Sequence, residues 1–206
     1  MTEKPILFSG EMVRAILEGR KTQTRRVVKL PKEKGKEYRF DGAWKDGPKP
    51  FNAGEYLHLP FRNLADGPNG WEHEMSVREF CPHGNPGDLL WVRETWRPQD
   101  GMTIECRYQD EIEYRADGNR PKEPTDCCWK PSIFMPRWAS RITLEIIGVR
   151  VERLQDISSA DAIAEGVPVD DPIHDYQILW DSINGKRPGC SWLSNPFVWA
   201  ISFRRV

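Results

Sequence analysis

The chain has 206 residues, enough for one domain with a substantial core and large excursions. Its 30 basic and 31 acidic side chains sum to −1, which excludes a uniformly basic nucleic-acid coat and an acidic solvating tail. No apolar run approaches the roughly 20 residues of a membrane span, and no signal-peptide pattern opens the chain, so we expect a cytoplasmic protein. Five cysteines, an odd number, indicate reduced thiols rather than a disulfide framework.

The near-neutral total conceals two segments of opposite charge. Residues 20–36 hold eight basic side chains and one acid, whereas residues 154–184 hold seven acids and no Lys or Arg. The total charge therefore does not describe the local charge of either segment.

The first predicted elements are a short strand over 5–8 and the helix that follows it. Ser9 is a typical helix N-cap, apolar residues at i, i+4 spacing form one helix face, and Gly19 suits the C-terminal end. This helix leads directly into the basic segment that begins at Arg20. The turn-rich stretch over 31–87 predicts short strands and loops within an insertion.

Strands dominate most of the remaining chain, with two helices between the last pair. Ser158 and Asp161 form a predicted capping box, with Ile157 and Ala162 as a hydrophobic staple, and Gly166 ends that helix. A second helix begins at 171–172, with Pro in its first turn, and ends at Gly185. The predicted strands are 89–96, a hairpin of 104–108 and 112–115, 141–153 with a bend at Gly148, and 196–206.

These elements predict a single α+β domain over 1–206, with several antiparallel strands and about three short helices. Insertions are expected at about 31–86 and 97–131. A small closed barrel would remove the exposed strand edges.

The densest chemical signal is the stretch from Gly19 to Arg26. Lys21 lies among three arginines, and neighbouring cations should lower the pKa of its ammonium group and make it available as a base. Thr24, three residues later, offers a hydroxyl that such a base could activate. Arginines in this stretch suit phosphate or carboxylate binding. The alternative is a solvated basic surface.

Glu165 is the second candidate, because it is the last residue of a predicted helix. The negative end of the helix dipole disfavours a carboxylate there by roughly 0.3–1 kcal/mol, which suits a proton donor. The alternative is an ordinary exposed Glu.

The motif GRKTQTRR fits the G-x-K-x-x-T-x-R signature of the ASCH-domain family, within the PUA-like superfamily, with Gly19, Lys21, Thr24 and Arg26 in its four positions. The Gly87-Asp88 pair before LLWV resembles a second family feature, and ISSADAIAEGV resembles the family's short helix that ends in Glu. Blocks such as GDLLWVRETW and NPFVWAISF are most similar to the longer ASCH-like proteins of phages and prophages.

This resemblance implies a PUA-like small mixed or antiparallel β-barrel with short helices and large loop insertions. One bacterial relative is similar to an N(4)-acetylcytidine amidohydrolase, whose Lys, Thr and Glu match Lys21, Thr24 and Glu165. The implied partners are RNA, a nucleoside or a modified nucleotide, bound without a cofactor. Arg20, Arg25 and Arg26 are the nearby candidates for substrate or nucleic-acid binding. The resemblance leaves open a non-catalytic RNA, DNA or modified-base binding module, and a ribonuclease.

The chain departs from the compact family members in the length of its loops. Sixty residues separate Arg26 from Gly87, and a second excursion occupies roughly 97–131. The resemblance implies that the basic segment 20–36 and the acidic segment 154–184 meet across one cleft. The two excursions would wall that cleft and alter substrate access.

Two further groups are candidates for binding. Arg137, Trp138 and Arg141 combine phosphate binders with a stacking surface, although a buried Trp flanked by two arginines explains them equally well. The weak metal candidates are Cys81, His83, Cys127 and Cys128. No C-x-x-C pair is present and vicinal cysteines rarely bind one metal together, so we expect no metal site.

Overall fold

The structure, a computed structural model, describes residues 1–29, 81–98, 112–118 and 129–206, and the backbone of three strands between 36 and 76. The strands in chain order are β1 (Glu3–Leu7), β2 (Gln23–Val27), β3 (Lys36–Tyr38), β4 (His58–Asn63), β5 (His73–Ser76), β6 (Leu89–Arg93), β7 (Trp96–Pro98), β8 (Ile112–Tyr114), β9 (Thr143–Arg153) and β10 (Phe197–Arg205).

A five-stranded mixed sheet is the centre of the domain. Its strand order is β1-β6-β9-β10-β2, with β1 parallel to β6 and the other pairs antiparallel. The long pairing of β9 with β10 shifts register between Ser202 and Phe203, beside Gly148, where the sequence predicts a bend. Strand β2, which carries the basic motif, lies at one edge.

Within the described residues, three α-helices pack on this sheet: α1 (Gly10–Leu17), α2 (Ser159–Ala164) and α3 (Pro172–Asn184). The predicted N-caps are confirmed, because the Ser9 hydroxyl accepts from the Met12 N–H and the Ser158 hydroxyl from the Asp161 N–H. Asp171 caps α3 in the same way. Each cap satisfies an N–H group that has no partner within its helix.

Alternate residues of β10 serve two cores on the two faces of the sheet, as a period of two requires. Trp199, Ile201 and Phe203 contribute to the core with α1, whereas Val198 contributes to the core with α2 and α3. The paired residues of β2 follow the same alternation, with Thr24 opposite Ile201 and Arg25 opposite Ala200.

The α+β class is therefore confirmed, while the closed barrel stays a prediction. Among the described strands, the main sheet has β1 and β2 as its edges. One side-chain contact links these edges: the Arg26 guanidinium donates to the Leu7 carbonyl at 2.6 Å. No helix in the described part of the chain has the length and apolar character of a membrane span.

One predicted strand boundary is wrong. The strand predicted over 89–96 ends at Arg93, because the buried carboxylate of Glu94 leaves the strand to bind Arg141, and Trp96 begins β7 of a separate sheet. The strand over 112–114 pairs with β7. Residues 104–108, its predicted hairpin partner, lie outside the described residues, so the hairpin stays a prediction. The insertion expected at 31–86 contains β3, β4 and β5, which form their own antiparallel sheet.

Candidate functional site

The candidate site forms where the turn after α1 meets the end of α2. Gly19 adopts a φ of +76° and ends α1, and the Lys21 N–H then donates to the Ala15 carbonyl at 3.0 Å. The next N–H, that of Thr22, donates to the Ala164 carbonyl at 2.8 Å. These bonds fix the start of the basic motif against the end of α2. Lys21 and Glu165, which meet there, are 144 residues apart in the sequence.

Lys21 and Glu165 form a buried ion pair at this junction. The Lys21 Nζ lies 2.6 Å from Glu165 Oε2 and 2.8 Å from the Glu165 carbonyl oxygen. The two residues are 2% and 3% exposed, so water screens the pair very little. Burial lowers the pKa of Lys21, and Arg26 and Arg25 act in the same direction, while the Glu165 carboxylate opposes them.

A close approach at Gly166 allows this pair to form. Gly166 has a φ of +95°, and a β-carbon there would lie 3.1 Å from Ala15 Cβ and 3.2 Å from Lys21 Cβ. Glycine is therefore needed for both conformation and space. It ends α2 and turns the chain so that Glu165 faces Lys21.

Arg25 is bound within a buried network instead of facing solvent. Its guanidinium pairs with Glu152 at 2.6 Å, with Asp161 at 3.1 Å and with Glu165 at 3.3 Å. The Asp161 carboxylate also pairs with Arg150, whereas the predicted capping box would turn it toward Ser158. The guanidinium groups of Arg25 and Arg150 both bind the Asp161 carboxylate, which therefore does not turn back toward Ser158.

Thr24 and Arg26 lie on the opposite face of β2 from Arg25, and Arg26 lies beside Phe8. Lys21 Nζ lies 5.7 Å from the centre of the Phe8 ring, and the Arg26 guanidinium carbon lies 5.3 Å from it. Thr24 is 2% exposed. Its hydroxyl makes no hydrogen bond with any residue that the structure describes, and so none with Lys21. The motif therefore brings an amine and a guanidinium to one ring, with an unengaged hydroxyl on the same strand face.

Tyr176 of α3 adds a buried polar group next to this network. The residue is 2% exposed, and its buried hydroxyl has no hydrogen-bond partner among the described residues. Burial raises the pKa of Tyr176 well above its usual value, and the Glu165 carboxylate raises it further. Its ring centre lies 5.9 Å from the Arg25 guanidinium carbon. The phenol is thus a protonated donor beside the ion pair.

A cavity of about 370 Å³ opens next to this network. Residues from three parts of the chain line it: the end of β2 with the residues after it, the segment before β6, and the end of α3 with the turn after it. The residues that line it are Arg25, Arg26, Val27, Lys29, Pro82, His83, Ile183, Asn184 and Arg187.

Arg20 and the second predicted cluster lie apart from this cavity. The exposed Arg20 binds Glu18 and the Gly166 carbonyl. Arg137 pairs with Glu3 at 2.6 Å, and Arg141 pairs with Glu94 at 2.9 Å and with Asp117 at 2.7 Å. Trp138 packs edge-to-face on Trp96. Each arginine already has acidic partners, and none of these residues lines the cavity.

The metal candidates divide between described and undescribed residues. Cys81 is a buried free thiol whose pKa is raised by burial, and burial together with Arg26 lowers the pKa of His83 to about 4. Cys127 and Cys128 lie outside the described residues. In the part of the chain that is described, no three His, Cys, Asp or Glu residues are grouped to bind a metal.

Comparisons with protein-family models, curated proteins and solved structures find no match to this chain. The candidate site is therefore defined by its own geometry: a buried Lys–Glu pair, a neighbouring threonine and a basic cavity. Sequence patterns single out Lys21, Thr24, Glu165 and the basic segment that includes Lys29, but they miss Phe8, Tyr176 and Arg187. Those three residues reach the site through the packing of separate elements, which no local spacing signals.

Proposed function

We propose that the protein is an ASCH-like, PUA-superfamily enzyme that hydrolyses an acyl group from the exocyclic amine of a nucleoside or of a base in RNA. The observation that carries the proposal is the buried pair of Lys21 and Glu165. Burying two charges costs several kcal/mol per ion before their attraction is counted, so such a pair stabilises the fold only weakly. Buried, perturbed titratable groups beside a cavity are typical of catalytic sites.

The pair supplies the protonation states that amide hydrolysis needs. Proton transfer along the 2.6 Å bond from Lys21 to Glu165 gives a neutral amine and a carboxylic acid. The amine then acts as the base and the acid as the proton donor. The lowered pKa of Lys21 reduces the free energy of that transfer.

The proposed reaction has two steps. Lys21 takes the proton of the Thr24 hydroxyl, whose oxygen bonds to the acyl carbon while backbone N–H groups stabilise the developing oxyanion. The carbon–nitrogen bond breaks, and the amine leaves with a proton from Glu165. Water then hydrolyses the threonine ester, which releases the carboxylic acid and restores Thr24.

A non-catalytic binding module is the second candidate. The basic cavity favours this second candidate, because Arg26, Lys29 and Arg187 could bind an anionic ligand there without any reaction. The absence of a hydrogen bond between Lys21 and Thr24 also favours it, although catalytic hydrogen bonds are often long before substrate binds. A ribonuclease, in which Lys21 and Arg26 stabilise a phosphorane-like charge, is the third.

Product analysis with N(4)-acetylcytidine and with structured RNA separates these functions. The wild-type protein should release acetate and cytidine, and Lys21→Met and Thr24→Val should each lower the rate by at least about 10²-fold. Thr22→Val is the matched control, because its exposed side chain belongs to the same motif. RNA cleavage that needs Lys21 but not Thr24 would establish the ribonuclease. RNA binding without any turnover, weakened in Lys21→Met, would establish the binding module.

A further inference from the structure

The cavity beside β2 has an excess of positive charge that no described residue neutralises. Lys29 and Arg187 are exposed and form no ion pair with any described residue. Arg26 likewise has no acidic partner there, and donates one of its five N–H groups to the Leu7 carbonyl. No Asp or Glu is among the described residues that line the cavity. Three like charges facing one space repel one another unless an anion binds between them.

His83 belongs to the same wall but adds no charge at neutral pH. Burial, together with Arg26 and Lys4, lowers the pKa of its imidazole to about 4. The neutral ring retains one N–H donor and one acceptor nitrogen. The cavity thus offers three cations and a neutral hydrogen-bonding ring, which suits a phosphate group better than a hydrophobic ligand.

The cavity is joined to the Lys21–Glu165 pair through Arg25. The Arg25 side chain lines the cavity, while its Nη1 lies 3.3 Å from Glu165 Oε1. Because Arg25 is already paired with Glu152, Asp161 and Glu165, it separates the two regions without adding free charge. Lys21, Thr24 and Glu165 themselves do not line the cavity. An anion held there by the free cations would therefore lie on the far side of Arg25 from the proposed reacting groups.

The volume suits a group of nucleotide size. About 370 Å³ is at the lower end of the range typical of small-molecule sites. From this cavity we infer that the substrate carries a phosphate, bound by Arg26, Lys29 and Arg187, and is a nucleotide or an oligonucleotide rather than a free nucleoside. This inference rests on the proposed function for the identity of the reacting group, but the phosphate subsite itself can be tested by binding alone.

Isothermal titration calorimetry with cytidine, with cytidine 5′-monophosphate and with a short single-stranded RNA lacking terminal phosphates tests the subsite. The monophosphate or the RNA should bind at least about tenfold more tightly than cytidine, as expected for charge-assisted hydrogen bonds to phosphate. A preference for the monophosphate alone would identify a terminal phosphate, and a preference for the RNA alone would identify a backbone diester.

Matched variants show whether the cavity is responsible. Arg187→Ala and Lys29→Ala should each weaken binding of the phosphate-bearing ligand by about threefold to tenfold. Lys186→Ala removes the same charge from the adjacent exposed residue, which does not line the cavity, and should leave affinity unchanged. Equal affinity for cytidine and both phosphate ligands, or equal effects of Arg187→Ala and Lys186→Ala, would overturn the inference.

Failure of the proposed hydrolase and failure of the phosphate subsite give different experimental results. A preference for phosphate ligands in a protein that hydrolyses no acylated cytidine would leave the subsite standing and reject the hydrolase. Hydrolysis of N(4)-acetylcytidine without any preference for phosphate would reject the subsite and keep the hydrolase.

Discussion

At the scale of single residues, the buried ion pair between Lys21 and Glu165 matters most when it is broken, because the intact pair stabilises the fold only weakly. Removing one partner of a buried pair typically costs about 3–5 kcal/mol, because the remaining charge is left uncompensated. Here Arg25 lies 3.3 Å from Glu165 and offsets part of that cost. The pair thus favours a single arrangement of the α1 turn and the end of α2.

A double-mutant cycle tests this coupling. We expect Lys21→Met to lower the free energy of unfolding by about 2–4 kcal/mol. The double variant Lys21→Met, Glu165→Leu should regain at least about 2 kcal/mol of the lost free energy of unfolding, because it leaves no buried Glu165 carboxylate without its lysine partner. Urea denaturation gives the free energy of unfolding of each variant. An unchanged m value checks that unfolding stays two-state. Additive losses in the double variant would show that the two side chains do not interact.

His83 gives a second residue-scale prediction, on the pH dependence of stability. Its pKa is 6.5 when unfolded and about 4 in the fold. Above pH 6.5 the ring is neutral in both states and has no effect. Between pH 6.5 and 4 only the unfolded chain binds the proton, so folding stability falls as the pH falls, by about 2–3 kcal/mol in total.

The measurement compares the wild-type protein with His83→Gln, which cannot titrate. Denaturation midpoints taken between pH 7 and 4.5 should fall more steeply for the wild type than for the variant. Parallel curves would mean that His83 is not buried beside Arg26 and Lys4 as the structure shows.

At the scale of elements, the turn between α2 and α3 determines whether the site is assembled. Gly166→Ala adds a β-carbon at a positive φ and places it 3.1 Å from Ala15 Cβ and 3.2 Å from Lys21 Cβ. Gly189→Ala is the matched control, because its φ of +71° imposes the same strain but no atom lies within 4 Å. Backbone strain should lower the free energy of unfolding of each glycine variant by roughly 1–2 kcal/mol.

The contacts at Gly166 should add about 1–3 kcal/mol through overpacking, and should also displace Lys21 from Glu165. Thermal or urea denaturation gives the stability difference between the two glycine variants, and the hydrolysis assay gives the effect on the site. Equal losses of stability in both variants would contradict the close approach of α1 to α2.

The elements that local chemistry defines could be predicted from the sequence. Ser9, Ser158 and Gly166 mark helix ends through bonds or conformations within a few residues, and the predicted helices agree with the structure. The interruption after Arg93 could not be predicted, because it depends on Glu94 binding Arg141, 47 residues away.

The residues of the candidate site likewise divide into those that local sequence indicates and those that only the fold brings together. Lys21 and Thr24 belong to one contiguous motif, whereas Glu165 is indicated only by a helix end and a family resemblance. Arg187 and Tyr176 could not be predicted, because α3 packs on the sheet face opposite α1 and brings them in from a distant part of the chain. A periodicity of apolar residues shows which side of α3 is buried, but not which polar atom that burial leaves without a partner.

At the scale of the whole molecule, the formal charge of −1 is the sum of regions that differ in sign. Contacts between the two charged segments bind Lys21 and Arg25 to Glu165 and Asp161, so these cations are neutralised inside the fold. Arg26 and Lys29 from the basic segment, joined by Arg187, remain available at the cavity. The local charge, and not the total, should therefore govern how an anionic ligand binds.

The salt dependence of RNA binding tests this difference between local and total charge. Each phosphate contact on a single strand contributes about −0.7 to the slope of log K against log salt concentration, so three cations predict a slope of about −2. Arg187→Ala should reduce the magnitude of the slope by about 0.7, while Lys186→Ala should not change it. Fluorescence anisotropy across a salt series measures both. A slope near zero would show that the total charge governs binding, and equal slopes for the two variants would assign the contacts to another surface.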